Sequence, residues 1–160
     1  FMILESYEDL KSIRLNYQER KIVYASGSFD LISAGHVLFF ENSKNLGDLL
    51  IVAVASDEAL RDNKGDKRPI IRQDARIKLI DSLKPVDYTF INTKKDLSDL
   101  ENIFSLLKPA VYTMTEDAFD METRRKYSDK FGVEMVVLER SKKFADITTT
   151  TIIEKIKRLY

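Results

Sequence analysis

Gly27, Ser28, Phe29, Asp30, Ser33, Gly35 and His36 fall within ten residues, "GSFDLISAGH", and they include the only histidine of the chain. Two glycines in such a stretch let the backbone turn tightly or approach a ligand closely. A helix opening near His36 would offer unpaired backbone N–H groups and the positive end of its dipole to an anion. An imidazole beside that opening donates a hydrogen bond to a phosphate oxygen, more strongly if protonated. The chemistry to expect is therefore phosphate binding. Neither "GxGxxG" nor "GxxxxGK[ST]" occurs in the chain, so the turn is not one of the two common phosphate-binding fingerprints.

The flanking residues supply the elements that must hold this turn. "KIVYAS" (21–26) reads as a short buried strand leading into it, and a helix is expected from His36 to Leu46, with Gly47 as its stop. "LLIVAVAS" (49–56) is an unbroken apolar run of strand length, typical of a central parallel strand covered on both faces. A short helix near 57–62 and the basic loop "RDNKGDKRP" follow, then a helix over 72–83 and a strand over 86–91. The alternation continues with a helix at 97–107, the strand "AVYTM", a helix at 117–131, the strand "VEMVVL" and a capped amphipathic helix over 147–159. Residues 6–18 space their apolar side chains like a further amphipathic helix, with Ser6 as its N-cap. Strands alternating with helices throughout predict one α/β domain, a Rossmann-like parallel sheet of about five strands with helices on both faces. Residues 1–20 are read as an N-terminal helical extension, 21–146 as the core and 147–160 as the C-terminal helix. In such sheets ligands bind beyond the carboxyl ends of the strands, where "GSFDLISAGH" stands.

Composition narrows the function classes. Lys plus Arg and Asp plus Glu both number 26, so no global basic field favours nucleic acid. The absence of cysteine excludes disulfides and thiolate metal sites. No apolar run approaches the roughly 20 residues that span a bilayer, and the acidic, polar start does not have the pattern of a signal peptide. A cytoplasmic protein without a membrane partner is the expectation.

At "GSFDLISAGH" the chain resembles the nucleotidylyltransferase superfamily, whose signature is written "GxFDxxHxGH" or "GxFDxxTxGH". "ENSKNLGDLLIVAVASDEAL" is similar to the family's "ERAKxLGDxLIVGVSTDE". "NKGDKRPIIRQDARIKLIDSLKPVDY" resembles a stretch of ADP-heptose synthase adenylyltransferase domains, and "DITTTTIIEKI" resembles "GISTTxIIxxI". The four blocks keep their order and cover about residues 20–158.

The resemblance implies roles residue by residue. His36 would stabilise triphosphate charge in the transition state, with Gly27, Ser28, Phe29, Asp30 and Gly35 shaping the turn around the nucleotide. Ser33 departs from the histidine-type signature. Phosphopantetheine adenylyltransferases carry threonine there, so its hydroxyl either contributes one hydrogen bond or marks lost catalysis. Lys44 matches the lysine of "ERAKxLGD"; it lies roughly 80° around the helix from His36, within reach of a long side chain. Arg76 is implied to contact phosphates. Thr148, Thr149 and Thr150 match "ISTT" and would form a second phosphate-facing helix start, the alternative being an N-cap alone at Asp146 or Thr148. Arg140 matches the arginine before "GISTT", with Lys142 or Lys143 as substitutes across a longer segment.

The implied reaction is attack by a substrate phosphate oxygen on the α-phosphorus of a nucleoside triphosphate, releasing pyrophosphate without a covalent enzyme intermediate. ATP with a phosphorylated sugar such as a heptose 1-phosphate is the first choice. CTP with glycerol 3-phosphate or another alcohol phosphate, and a nucleotide-binding module without turnover, are the alternatives. Mg²⁺ is the expected companion of the triphosphate, its ligands unassigned. Relatives of this kind are commonly dimers, which makes a homodimer the expected assembly.

Overall fold

Apolar residues on neighbouring strands fall into two sets that alternate along the chain. Ile22 and Tyr24 of β2 (Ile22–Gly27) and Ile51 and Ala53 of β3 (Leu49–Ala55) pack into one core. Val23, Ala25, Leu50, Val52 and Val54 pack into another. Successive strand side chains point to opposite faces, so a sheet bearing two such sets is covered on both sides. In the computed structural model, which describes residues 2–94, 96–144 and 146–159, this is what the chain builds.

Six strands pair in the order β1-β4-β3-β2-β5-β6, every pair parallel. The flanking strands are β1 (Met2–Ile3), β4 (Tyr88–Asn92), β5 (Val111–Thr115) and β6 (Glu134–Leu138). Helices α1 (Glu8–Asn16) and α5 (Asp99–Leu107) cover the first face through Leu10, Ile13, Leu100, Ile103 and Phe104. Helices α2 (Ala34–Lys44) and α4 (Gln73–Asp81) cover the second through Phe40, Ile77 and Ile80. Short α3 (Asp57–Lys64), α6 (Met121–Phe131), a 3₁₀ turn (Lys142–Phe144) and α7 (Thr149–Leu159) complete the layers.

The expected parallel α/β sheet is present, with one strand more than the sequence suggests. Residues 1–20, read as a helical extension, also supply β1: Met2 and Ile3 register with Tyr88 and Thr89, and the Leu4 amide donates to the Thr89 carbonyl at 2.7 Å. A two-residue strand shows no periodicity, so pairing alone reveals it.

The strand order sets the position of the site. From β2 the chain moves outward to β3 and β4, then crosses back so that β5 lies on the other side of β2. Loops leaving the carboxyl ends of β2 and β5 therefore diverge, and a crevice opens between them.

Candidate active site

A cleft of about 540 Å³ occupies that crevice. Ser26 and Gly27 line it from the end of β2, Met114 and Thr115 from the end of β5. Its volume lies within the range of small-molecule sites.

Directly after β2 the backbone takes a left-handed conformation at Phe29, with φ of 48°. The ring of Phe29 folds back toward Gly27, where a Cβ would stand 2.7 Å from Cζ. Glycine at 27 is thus required by the packing of a neighbouring ring rather than by its own torsions. Phe29 then sits 5.0 Å from Phe40 and 5.9 Å from His36, between ring centroids, and ties the turn to α2. At Gly35 a Cβ would meet only Ser33 Oγ, at an ordinary 3.7 Å. Nothing among the described residues demands glycine there, and the bare Cα leaves room for a ligand over the helix start.

Ser33 and His36 close on each other at the first turn of α2. The Ser33 amide donates to His36 Nδ1 at 3.1 Å, and the Ser33 hydroxyl lies 3.1 Å from the same nitrogen. Nδ1 is therefore an acceptor, and the neutral imidazole carries its proton on Nε2. Burial, together with the positive charges of Arg140 and Lys64, holds the His36 pKa below its ordinary value. Near neutral pH His36 is an uncharged donor of fixed tautomer. Ser33, where the resemblance suggests a direct phosphate contact, lies in the cleft wall and orients this imidazole.

Asp30 is buried and grips the opposite loop. Its carboxylate accepts from Arg68 Nε at 2.5 Å, from the Ile71 amide at 2.8 Å and from the Ile70 amide at 2.9 Å. Burial pushes its pKa up, but the Ile71 and Ile70 amides and Arg68 outweigh burial and leave it below the ordinary carboxylate value. Asp30 thereby brings Arg68 to the cleft, where Lys64 joins it. In the sequence this loop is basic throughout, and neither residue stands out from its neighbours.

The C-terminal segment supplies the facing wall. Thr148 and Thr151 cap α7 reciprocally: the Thr151 amide donates to Thr148 Oγ1 at 3.1 Å and the Thr148 amide to Thr151 Oγ1 at 2.8 Å. Thr148, Thr149 and Thr150 all line the cleft. Arg140 lines it too, its guanidinium donating to both carboxylate oxygens of Asp117. Lys142 and Lys143 are not among the lining residues, so Arg140 is the cation of this segment at the site.

Two residues implied as phosphate contacts stand elsewhere. Lys44, at the far end of α2, donates to Asp87 Oδ2 at 2.5 Å and to the Asp48 carbonyl at 2.6 Å. Arg76 is wholly buried and donates to the carbonyls of Ser28 (2.5 Å) and Ile71 (2.9 Å) and to Asp57 (2.7 Å). Neither lines the cleft. Arg76 acts on it indirectly, bracing Ser28 and hence the turn; Ser28 itself is in the wall. Both cations are satisfied by carboxylates distant in sequence, which a motif match does not reveal.

The described residues of the cleft form no ready cage for a divalent ion. Among the described residues no group of three or more His, Cys, Asp or Glu could ligate a metal. Asp30 and Asp117 are both engaged by arginines. No helix among the described residues is long and apolar enough to cross a membrane.

Two helix starts and a neutral imidazole gathered at the switch point of a parallel sheet suit a site that binds phosphate-bearing groups. The chain belongs to the cytidylyltransferase-like family, whose pattern it matches over residues 24–155. It is 35% identical over 155 residues to the bifunctional protein HldE of Helicobacter acinonychis, covering 97% of this chain and 31% of that protein. Against the bifunctional protein HldE of Desulfatibacillum aliphaticivorans it is 32% identical over 157 residues, again spanning 31% of the relative. The chain thus spans about a third of the length of these relatives. Among solved structures, the lipopolysaccharide core biosynthesis protein from Thermoplasma volcanium is 32% identical, with a TM-score of 0.63 over 76% of this chain and 97% of that one. Pantoate-beta-alanine ligase from Francisella tularensis shares the fold, with a TM-score of 0.66 at 16% identity over 98% of this chain and 77% of that one.

Proposed function

We propose that the chain transfers a nucleotidyl group from a nucleoside triphosphate, ATP in first choice, to the phosphate of a phosphorylated sugar such as a heptose 1-phosphate. A phosphate oxygen of the acceptor forms a bond to the α-phosphorus. The bond from the α-phosphorus to the bridging oxygen breaks, and pyrophosphate leaves with that electron pair. The attacking oxygen is already anionic, so no general base is required. The observation that carries this reading is the meeting of the α2 and α7 helix starts at one cleft, with His36 presenting a neutral N–H donor.

In this reading the protein acts by positioning and by neutralising charge. The triphosphate lies over the first turn of α2, with Gly35 giving it room and His36 donating from Nε2. Lys64, Arg68, Arg140 and the hydroxyls of Thr149 and Thr150 complete its surroundings. A Mg²⁺ ion bound with the nucleotide would supply further neutralisation of the triphosphate charge. The preference for a sugar acceptor rests on the likeness of "KGDKRPI" to ADP-heptose synthase domains and on the relative described as a lipopolysaccharide core biosynthesis protein. A cytoplasmic location and a homodimer belong to the same proposal.

Pyrophosphate release, measured with each nucleoside triphosphate against phosphorylated sugars and polyols, tests it. The expected result is release with ATP and a sugar 1-phosphate. Release with CTP and glycerol 3-phosphate would reassign both substrates. Tight nucleotide binding with no release in any combination would make the chain a binding module.

A further inference from the structure

Four arginines stand in or behind the cleft, and three of them have a carboxylate partner. Arg68 pairs with Asp30, Arg76 with Asp57 and Arg140 with Asp117. Arg124, on α6, has none among the described residues. Its side chain lies in the cleft wall although the residue is only 9% exposed. Nε donates to the Phe119 carbonyl at 2.6 Å, Nη1 donates to the Tyr112 hydroxyl, and the guanidinium carbon lies 5.7 Å from the Tyr112 ring centre. Among the described residues Nη2 has no partner.

Both groups that hold Arg124 are neutral. Burial raises the Tyr112 pKa, so its phenol cannot act as a counter-ion near neutral pH. Asp120 feels the charge of Arg124, but its carboxylate accepts from the Thr123 amide at the start of α6. A nearly buried guanidinium with no carboxylate in ion-pair contact is costly unless something supplies the missing charge. Its planar fork suits two oxygens of one phosphate.

We propose that Arg124 anchors the phosphate of the acceptor substrate at a position separate from the triphosphate. This rests on the reading of the cleft as a nucleotidyl-transfer site and adds to it the location of the second substrate. The cations that act on His36 are Lys64, at the end of α3, and Arg140, just after β6; Arg124 is not among them. Arg124 belongs to the β5–α6 side, where the Tyr112 hydroxyl also meets Ser26 Oγ at 3.0 Å. An acceptor phosphate held there has two oxygens on the guanidinium and a third free for attack. The ring of Phe119, 68% exposed at the same wall, offers an apolar surface to the carbon skeleton of a sugar or polyol.

Calorimetric titration of inorganic phosphate and, separately, of ATP and CTP into wild type, Arg124→Gln and Arg140→Gln tests this. Arg124→Gln should weaken phosphate binding about 10-fold or more, the scale of a lost charge-assisted hydrogen bond, while nucleotide binding changes less than about threefold. Arg140→Gln should show the reverse. Phosphate binding within about threefold of wild type in Arg124→Gln, or an equal loss of nucleotide binding, overturns the assignment. If Arg124→Gln does not fold, Arg124→Lys keeps the charge and removes the fork; unchanged phosphate binding in that variant overturns it as well. Failure of wild type to bind any nucleotide would defeat the nucleotidyl-transfer reading itself. Nucleotide binding with phosphate binding indifferent to Arg124 would defeat only the anchor.

Discussion

At the start of α2, Ser33 and His36 close a reciprocal contact; at the start of α7, Thr148 and Thr151 do the same. Both ends face the cleft, yet what lies behind them differs. Helix α2 buries Phe40 and Ser43, and Ser43 Oγ donates to the Phe39 carbonyl at 2.8 Å and meets Thr113 Oγ1 of β5 at 2.9 Å. Helix α7 buries no residue, and Ile156 and Leu159 remain largely exposed. A helix start locked to the sheet presents its donors without reorganising, which is what stabilising a transition state requires. One with little packing behind it opens locally at low cost and suits a wall that adapts to its ligand. On the proposed reading, α2 carries the chemistry and α7 the capture of the nucleotide.

The sharpest way to break that division is His36→Ala. If α2 carries the chemistry, turnover should fall at least ~100-fold, the scale of removing one transition-state donor, with nucleotide affinity nearly intact. Steady-state kinetics beside a thermal melt measure both. A loss of only twofold or threefold would remove His36 from the mechanism.

Thr149→Val and Thr150→Val probe the other end. Each should weaken nucleotide binding by about threefold to tenfold, the scale of one neutral hydrogen bond, and leave turnover at saturation nearly unchanged. Hydrogen exchange on the native protein should find α7 amides opening faster than those of α2, and nucleotide should slow α7 selectively. Equal protection of both helices in the free protein would erase the distinction.

How much of this was legible in the sequence depends on the range of the interaction. The strands and helices could be read because burial on two faces leaves apolar runs and periodic stripes within single segments. The glycine turn, His36 and the threonine-rich helix start are likewise local, and they line one cleft. At Lys44 and Arg76 the sequence shows a charge and a motif but not the carboxylates that satisfy them, so the resemblance to phosphate contacts misleads. Asp87 and Asp57 lie 43 and 19 residues away. Arg124 gave no signal: in "METRRKYSDKF" it is one basic residue among several, and only packing against Tyr112 of β5 distinguishes it.

The titration of His36 sharpens the account of the locked end. As the only histidine, its imidazole resonances are unambiguous in proton NMR. Burial and the nearby cations predict a midpoint below 6.5 in the free protein. The sign for stability follows: as pH falls below about 6.5 the unfolded chain takes up the proton first, so the folded state loses ground. The contribution is complete above that pH and disappears as pH falls through the lower folded value. Denaturant melts between pH 5 and 7.5 should show this decline in wild type and a flatter profile in His36→Ala. A midpoint at or above 6.5 would mean that the imidazole is solvated and not held as described.

Lys44→Met carries the smallest expected effect and tests whether the division within α2 runs along the helix as well. Lys44 sits at the end remote from the cleft, where its ammonium bonds Asp87 and the Asp48 carbonyl. Asp87 also accepts the Leu50 amide at 2.7 Å, so the ion pair fastens the end of α2 to the start of β3. Removing the ammonium leaves a half-buried carboxylate with one partner fewer, a loss of about 1 kcal/mol in chemical denaturation. Turnover and nucleotide affinity should stay within about twofold of wild type, because nothing at the first turn of α2 depends on this pair. A fall in turnover of about 30-fold with stability unchanged would show that Lys44 leaves Asp87 when nucleotide binds. Both ends of α2 would then belong to the site, and its rigidity could no longer be credited to Ser43 and Phe40 alone.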